Sequence, residues 1–285
     1  MITFHKLGEL GRLGNQLFQY AALKGLALKT GYQAKIPNPN TMEWQGQKCL
    51  LDKFNLDCEY LTDDDKKSIK HIYNELNWQT HDKNFFTLPD NTTLEGFFQS
   101  IFYFEHIEEQ IKKELTPKQE YLDKAKKTIE ELKLQYDCEI VSVHVRRGDN
   151  MKLGQTELIA AFEPNGIYET YFKEAKKVFK GKRVKFLIFT GGMRYDEDNL
   201  EDVNWCMNFF KGDEFMFSKG NQQIDDFSLI MSCDHNILSH VSSFGWWAAY
   251  VNPNPNKIVV APEYYHPDEP GLKRDKFYPK EYILK

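Results

Sequence analysis

The sequence predicts an α/β protein with two domains, and three observations support this prediction. The chain has 285 residues, which suits roughly two domains of about 150 residues each. It opens as strand, glycine turn, helix and strand, the first unit of an α/β sheet. From Asp137 onward, strand and helix patterns alternate at short spacing, which is typical of a parallel sheet with helices on both faces. We therefore expect domains over 1–136 and 137–285.

The first 36 residues justify the opening unit. Ile2–Phe4 alternates apolar side chains and predicts a strand, and Gly8–Gly14 predicts a glycine-punctuated turn. Apolar residues near helical spacing predict a helix over Asn15–Thr30, which Gly31 is suited to end. Tyr32–Ile36 then predicts a second strand.

The remainder of the first domain has weaker patterns. Residues 37–90 are polar and irregular, which indicates loops and short helices. Leu94–Phe98 predicts a strand, followed by helices over Phe102–Leu115 and Pro117–Tyr136. The lysines and glutamates of the last helix indicate a solvated face.

The second domain has the more regular pattern. Its predicted strands are Glu139–Val145, Val184–Thr190, His235–Ser239 and Lys257–Val260. Its predicted helices are Tyr168–Lys180, Leu200–Phe210, Asp225–Ser232 and Phe244–Val251. The tail from Pro262 is rich in proline, tyrosine and charge, and we expect it to cross back onto the first domain.

Composition excludes several classes of protein. The 37 basic and 42 acidic side chains give a net charge of −5, which argues against a general nucleic-acid binder but allows a local basic pocket. No window of 18 apolar residues predicts a membrane span, and the N-terminus has no signal-peptide pattern. The five cysteines are scattered without CxxC spacing, so we expect reduced thiols, no metal centre and a cytoplasmic location.

The most informative segment is Val141–Asp149, where an apolar strand ends in two arginines, a glycine and an aspartate. Ligands of open α/β sheets bind beyond the carboxyl ends of the strands. His144 and Arg146 share a face because they are two residues apart, and arginine is well suited to phosphate oxygens. The alternative interpretation is a structural arginine–aspartate pair that closes the loop.

Two further segments indicate anion binding. Glycines before a helix, as in Gly11–Gln16, let backbone N–H groups approach an anion, although the segment lacks the P-loop and GxGxxG patterns. The alternative is a tight turn with Asn15 as the helix N-cap. Val241–Ala248 places two serines before an apolar helix, which suits an anion or, for Ser242, a plain helix cap. We expect its two tryptophans to be core residues.

At these motifs the chain resembles the α1,2-fucosyltransferases. The similar segments, in the family's order, are Gly11–Ala21, Gly96–Ser100, His144–Asp149 and Ser243–Tyr250. Protein O-fucosyltransferases and α1,6-fucosyltransferases share some of these elements more distantly. The resemblance implies a two-domain glycosyltransferase B-type fold, with an acceptor-side N-terminal domain and a Rossmann-like C-terminal domain that binds the sugar nucleotide. It implies inverting transfer of L-fucose from GDP-fucose to the 2-hydroxyl of a galactose-type acceptor, without a metal or another cofactor.

The resemblance also implies roles at the phosphates. Arg146 matches the arginine that holds the β-phosphate of the donor, and Arg147 matches its supporting neighbour. Asn15, beside Gly14, matches the asparagine near the diphosphate and the reaction centre.

Three more positions match the phosphate-holding loop, namely Ser242, Ser243 and Phe244. His144 and Asp226 match positions that meet the nucleoside, with Asp226 expected on the N–H groups of guanine, and Asp234 is a second candidate for that contact.

Two questions stay open at this point. Asp149 is a candidate base for the acceptor hydroxyl, and the alternative is that it orients the arginines. Two alternatives to a fucosyltransferase also stay open. The chain could be a transferase for another GDP- or UDP-sugar, or a catalytically silent glycan-binding module whose arginines are structural. Nucleotide binding separates these hypotheses.

Overall fold

The computed structural model of this chain describes residues 1–77, 80–151, 156–164, 166–191, 200–264 and 276–285. Within these ranges the chain forms two compact units. The first contains Met1–Lys118 together with residues 276–279 of the tail. The second begins at Gln119 and includes Lys280–Lys285.

The first unit contains one long helix and mostly short strands. Its strands are β1 (Ile2–Thr3), β2 (Ala34–Ile36), β3 (Glu43–Trp44), β4 (Gln47–Lys48), β5 (Glu59–Tyr60), β6 (His71–Asn74) and β7 (Thr92–Glu95). Its helices are α1 (Leu13–Thr30), α2 (Asp63–Ser68) and α3 (Glu108–Glu114).

Five of these strands form a parallel sheet in the order β5-β2-β1-β7-β6, while β3 and β4 form a small antiparallel hairpin. From β1 the chain adds β2 and β5 on one side, and later β6 and β7 on the other. The order therefore reverses between β1 and β7. Such a switch point is where the loops beyond the carboxyl ends of the strands leave a crevice.

The second unit alternates helices and strands. Its helices are α4 (Gln119–Tyr136), α5 (Thr156–Ala161), α6 (Ile167–Lys177), α7 (Leu200–Phe209), α8 (Gln223–Ser232) and α9 (Ser243–Tyr250). Its strands are β8 (Glu139–Val145), β9 (Val184–Thr190), β10 (Phe215–Phe217), β11 (His235–Ile237), β12 (Val259–Ala261) and β13 (Ile283–Leu284).

All six strands are parallel, in the order β10-β9-β8-β11-β12-β13. The order reverses between β8 and β11, so this unit also has a switch point. Strand β8 is the centre of the core: Val141, Val143 and Val145 are buried among aromatic side chains of the surrounding helices. Trp246 and Trp247 of α9 are fully buried, which confirms that they are core residues.

The domain boundary differs from the sequence expectation. Helix α4 belongs to the second unit, so the division falls before this 18-residue helix and not after Tyr136. The reason is tertiary, because α4 packs against α8. The charged outer face of α4 gave no sign of where its apolar side would pack.

The predicted helix Phe102–Leu115 is shorter in the structure. Only Glu108–Glu114 is α-helical, and single turns of 3₁₀-helix precede it at Ile101–Tyr103 and Glu105–Ile107. Tyr103 and Phe104 are buried in an aromatic cluster, and that packing overrides the helical pattern.

Candidate functional site

The carboxyl edge of the second sheet gathers the polar residues that the sequence singled out. Arg146 follows β8, and the loop with Ser242 and Ser243 follows β11. These two strands flank the switch point, where open α/β sheets bind ligands. The edge therefore brings together side chains that are almost a hundred residues apart in the chain.

Arg146 is half-buried and tied to the strands on both sides of it. Its backbone N–H donates to Ser239 Oγ at 3.0 Å, and its Nη1 donates to the carbonyl of Gly191 at 3.4 Å. Ser239 follows β11 and Gly191 follows β9, so both neighbouring loops position the arginine. The guanidinium is thus placed at the switch point.

Arg147 has a different environment. Its side chain is buried, its Nε donates to Asp202 Oδ1 at 3.1 Å, and its guanidinium lies 4.4 Å from the ring centre of Trp205. The other oxygen of Asp202 accepts the N–H of Gly148 at 2.8 Å. Burial raises the pKa of Asp202, and the bonds from Gly148 and Arg147 oppose that rise. Arg147 therefore fastens the loop after β8 to α7.

His144 lies beneath this edge and is neutral. It is buried on β8, and its Nδ1 lies 3.1 Å from Ser242 Oγ. Burial, and to a smaller extent the positive charge of Arg146, lowers the pKa of His144 to about 3. Ser242 Oγ also accepts the N–H of Gly245 at 3.4 Å. The arrangement favours a hydroxyl that donates to Nδ1, which leaves the ring proton on Nε2.

Helix α9 starts at this point because Ser242 is its N-cap. Gly245 is required by close approach, since a Cβ there would lie 2.8 Å from Nδ1 of His144. Ser243 is the first helical residue, and the ring of Phe244 packs between His144 and Phe227. The first N–H groups of the helix and its dipole favour an anion.

The loop that leads into α9 is strained. Val241 has φ of +50°, which is a rare backbone conformation for a β-branched residue. Such conformations persist where the surroundings hold them, and they concentrate at functional sites. No sequence pattern indicated this feature.

Asp226 lies two strands from Arg146 along the same edge. Its Oδ1 accepts hydrogen bonds from Ser218 Oγ at 2.7 Å and from Asn221 Nδ2 at 3.1 Å, and these residues follow β10. Burial raises the pKa of Asp226, and the two hydrogen bonds oppose that rise.

Asp234 is separated from the other candidates. It directly precedes β11, so it lies at the amino edge of the sheet, opposite Arg146. Its carboxylate binds Lys133 Nζ at 2.5 Å and the N–H of Ile140 at 2.8 Å, which ties α4 to β8. The sequence contained the signal for this correction, because a residue before a parallel strand cannot lie at its carboxyl end.

The first unit places Asn15 at its own switch point. Helix α1 begins at Leu13 and not at Asn15, and its N-cap position is Arg12, so the N-cap interpretation of Asn15 is wrong. Gly14 and Asn15 are the second and third helical residues, whose N–H groups lie in the first turn. Gly11 has φ of +80°, and a Cβ there would lie 2.6 Å from Nδ2 of Asn15.

Three glutamines hold the loops around Asn15, and sequence reasoning assigned them no role. Gln16 donates to the carbonyl of Gly11 at 2.9 Å, and Gln19 donates to the carbonyls of Leu10 and Gly96, each at 3.0 Å. Gln99 donates to Asn15 Oδ1 at 2.7 Å. The signal for Gln99 was its place directly after the predicted strand Leu94–Phe98.

The remaining expectation concerns Asp149, whose side chain lies outside the described residues. All five cysteines are free thiols. In the part of the chain that the structure describes, no group of three or more His, Cys, Asp or Glu side chains is placed to hold a metal ion. None of the described helices combines the length and the hydropathy needed to cross a membrane.

Comparison with known proteins identifies the family. Residues 4–284 match the family Glycosyl transferase family 11. Galactoside alpha-(1,2)-fucosyltransferase 2 of Rattus norvegicus is 27% identical over 275 residues, which cover 94% of this chain and 72% of that protein. Galactoside alpha-(1,2)-fucosyltransferase 1 of Leontocebus fuscicollis is 29% identical over 255 residues, which cover 85% of this chain and 63% of that protein.

Solved structures agree on the architecture. The crystal structure of POFUT1 in complex with GDP is similar with a TM-score of 0.52 at 11% identity, over 91% of this chain and 97% of that chain. POFUT1 in complex with GDP-fucose gives a TM-score of 0.51 at 12% identity, over the same shares. The predicted α/β glycosyltransferase B-type fold is therefore confirmed, and the chain belongs to glycosyl transferase family 11.

Proposed function

We propose that this member of glycosyl transferase family 11 transfers L-fucose from GDP-fucose to the 2-hydroxyl of a galactose-type acceptor, with inversion and without a metal ion. The observation that carries the proposal is the anion seat at the β8/β11 switch point. There, Arg146 follows β8 and α9 begins after β11, at the same edge of the second sheet.

The seat suits the leaving group of this reaction. As the bond between fucose C1 and the β-phosphate oxygen breaks, the electron pair stays on that oxygen and negative charge grows on GDP. The Arg146 guanidinium, the Ser243 hydroxyl and the first N–H groups of α9 can take up this charge. Ser242, whose hydroxyl proton goes to His144, contributes by capping the helix. Donors placed in advance of the charge contribute several kcal/mol to the lowering of the barrier. We therefore expect no divalent cation to be needed.

His144 adds a donor without adding charge. Its low pKa keeps the ring neutral at physiological pH, and the hydrogen bond to Ser242 favours a proton on Nε2. A neutral donor next to Arg146 suits the ribose or a phosphate oxygen of the nucleotide.

Asp226 suits the guanine base. A carboxylate accepts from the N1–H and the N2 amine of guanine together, whereas uracil offers a single N–H. Arg146 and Asp226 lie beside the ends of β8 and β10, and these strands are about 10 Å apart because β9 lies between them. This spacing leaves room for the ribose between the base and the diphosphate.

Arg147 acts through the loop in this proposal. It supports Arg146 by fastening the start of the loop to Asp202, and it makes no contact with the donor.

In the first unit, Asn15 and Gly14 are assigned to the diphosphate and the reaction centre, as the family resemblance implies. Asp149 is assigned as the base that takes the proton of the acceptor hydroxyl while the new bond to fucose C1 forms. The competing role for Asp149 is orientation of the arginines. An acidic limb in the pH profile of kcat, where activity falls as the carboxylate is protonated, supports the base if it disappears in Asp149→Asn.

The assignment of a galactose-type acceptor is based on the names of the relatives, which are galactoside alpha-(1,2)-fucosyltransferases. A galactose-terminated acceptor and its 2-deoxy analogue test this assignment. Transfer to the first and none to the second is expected. Equal transfer to both would place the new bond at another hydroxyl.

The proposal is tested by calorimetric titration with GDP, UDP, GDP-fucose and GDP-mannose, each with and without EDTA. We expect GDP and GDP-fucose to bind and EDTA to change nothing. A preference for UDP would indicate a different transferase, and no nucleotide binding would indicate a glycan-binding module. Strict dependence of turnover on Mg²⁺ or Mn²⁺ would contradict the charge assignment.

A matched pair of nucleotides tests Asp226. IDP lacks the N2 amine of guanine, so the native protein should bind GDP more tightly than IDP. Asp226→Asn should remove that preference, while Asp225→Asn, one residue earlier, should keep it. If Asp226→Asn and Asp225→Asn prefer GDP over IDP to the same extent, another residue recognises the base.

A further inference from the structure

At the β1/β7 switch point, the first turn of α1 and the loop after β7 meet through a pair of amides. Gln99 Nε2 donates to Asn15 Oδ1 at 2.7 Å, and both side chains are half-buried. The direction of this bond matters because an amide has one accepting oxygen and one donating nitrogen. With Oδ1 engaged by Gln99, Nδ2 is the group of Asn15 that can donate to an oxyanion.

The loop that carries Gln99 is held in an unusual conformation. Phe98 has φ of +51°, and Gly96 has φ of +144° with no room for a Cβ, which would lie 2.4 Å from Cβ of Glu75. The Glu75 carboxylate accepts the N–H of Phe97 at 2.7 Å and that of Phe98 at 3.1 Å. A charged side chain therefore holds the turn that aims Gln99.

Burial holds the same turn from the other side. Phe98 is fully buried, with its ring 6.0 Å from Phe4, 5.6 Å from Phe85 and 5.3 Å from Tyr103. Strain of this kind is retained where packing over-determines it. The packing around Phe98 thus fixes the position of Gln99 next to Asn15.

We propose that Gln99 is a positioning residue that fixes the amide of Asn15 with its nitrogen toward the oxygens of a phosphate-bearing donor. This inference rests on the proposed function for the identity of the donor. The orientation of Asn15 itself follows from the contacts within the first unit.

The substitution Gln99→Glu tests the direction of the bond with almost no change in shape. A carboxylate cannot donate, so the Asn15 amide turns over and presents its oxygen to the donor. At pH 7.5 we expect kcat/KM for the sugar nucleotide to fall between about 10-fold and 100-fold, in the range that misplaced groups cause. Gln135→Glu, the same change on the exposed face of α4, is the control and should leave kcat/KM unchanged.

The pH profile separates positioning from a structural role. A protonated carboxyl can donate again, so activity of Gln99→Glu relative to the native protein should rise as the pH falls toward the ordinary glutamic acid pKa of about 4.3. A ratio that is independent of pH, with an unchanged melting temperature, would overturn the inference.

A double-mutant cycle and a spectroscopic measurement complete the test. If Gln99 acts through Asn15, Gln99→Glu should have little further effect in an Asn15→Ala background, whereas additive losses would contradict it. The side-chain amide signal of Asn15 in ¹⁵N NMR should move in Gln99→Glu and titrate with the new carboxyl. That signal is independent of catalysis, so it tests the positioning even if the native protein neither binds GDP nor transfers fucose, an outcome that would refute only the proposed function. An Asn15 signal that stays in place would overturn the inference itself.

Discussion

The two units of this chain use the same topology with different chemistry. In the first, the first turn of α1 and the loop after β7 meet at the β1/β7 switch point through two neutral amides, Asn15 and Gln99. In the second, the loops at the β8/β11 switch point meet through the backbone of Arg146 and the hydroxyl of Ser239, next to the N-terminus of α9. Amides serve donors and acceptors alike, whereas a guanidinium selects an anion.

The comparison teaches that topology sets where a site lies and side chains set what it binds. Each unit also has a non-glycine residue with positive φ in a loop at its switch point, Phe98 at +51° and Val241 at +50°. Phe98 is fully buried, whereas Val241 is only half-buried. Packing therefore offsets the strain more completely in the first unit.

The largest expected effect tests which arginine belongs to the anion seat. Asp202→Ala leaves the buried Arg147 guanidinium without its carboxylate and Gly148 without its acceptor. We expect the free energy of unfolding to fall by about 3–5 kcal/mol, as for other broken buried pairs. Denaturant unfolding measures this loss.

Glu201→Ala, at the exposed neighbouring position of α7, is the control and should change stability little. Should Asp202→Ala fold as stably as the native protein while losing affinity for GDP, Arg147 would be a donor ligand.

The second prediction concerns turnover. Arg146→Lys keeps the charge and loses the planar guanidinium, so a two-pronged phosphate contact is lost. Turnover should fall about 100-fold to 1000-fold, the usual cost of losing one such donor. Steady-state fucose transfer gives the rate, and the melting temperature should remain near that of the native protein.

Arg183→Lys is the matched control, because Arg183 pairs with Asp137 in an exposed position. Its turnover should be unchanged. Native-like turnover in a folded Arg146→Lys protein would contradict the assignment of the anion seat to the β8/β11 switch point.

The third prediction uses pH to test the neutral state of His144. The unfolded chain binds a proton at this residue near the ordinary pKa of about 6.5, whereas the folded protein binds it only near 3. Stability should therefore fall as the pH is lowered from about 6.5 toward 3, by about 1.4 kcal/mol per pH unit from this residue.

His144→Gln removes the titrating group. Between about pH 3 and 6.5, the free energy of unfolding of this variant should depend less steeply on pH, by the contribution of one proton. His71→Gln, at an exposed position of β6, should leave the slope as it is. Denaturant unfolding at a series of pH values measures both, and an unchanged slope in His144→Gln would show that the histidine is charged when folded.

The smallest effect tests the strain in the second unit. Asparagine tolerates positive φ better than valine, so Val241→Asn should raise stability by about 1 kcal/mol, the lower end of the cost of this conformation. For a chain of this size, that corresponds to about 2 °C in melting temperature. Val241→Ala keeps most of the strain and should change little, and an equal gain in both variants would assign the effect to the valine side chain instead.

Much of the fold was predictable, and two of the edge strands show why some elements were not. The strands β8 and β9 were predicted with their observed bounds, because buried seven-residue strands give long apolar runs. The edge strands β5 and β6 were missed, since β5 has two residues and most of the side chains of β6 are exposed. Such segments have no hydrophobic pattern, and they become strands only by pairing.

The candidate site divides in the same way. The sequence by itself determined that Arg146 follows a buried strand, that Ser242 caps an apolar helix and that glycines precede Asn15, because these are local relations along the chain. Only the tertiary structure decided that Arg147 is held by Asp202 and that Gln99 meets Asn15. These pairs lie 55 and 84 residues apart, and the order in which the strands pair brings them into contact.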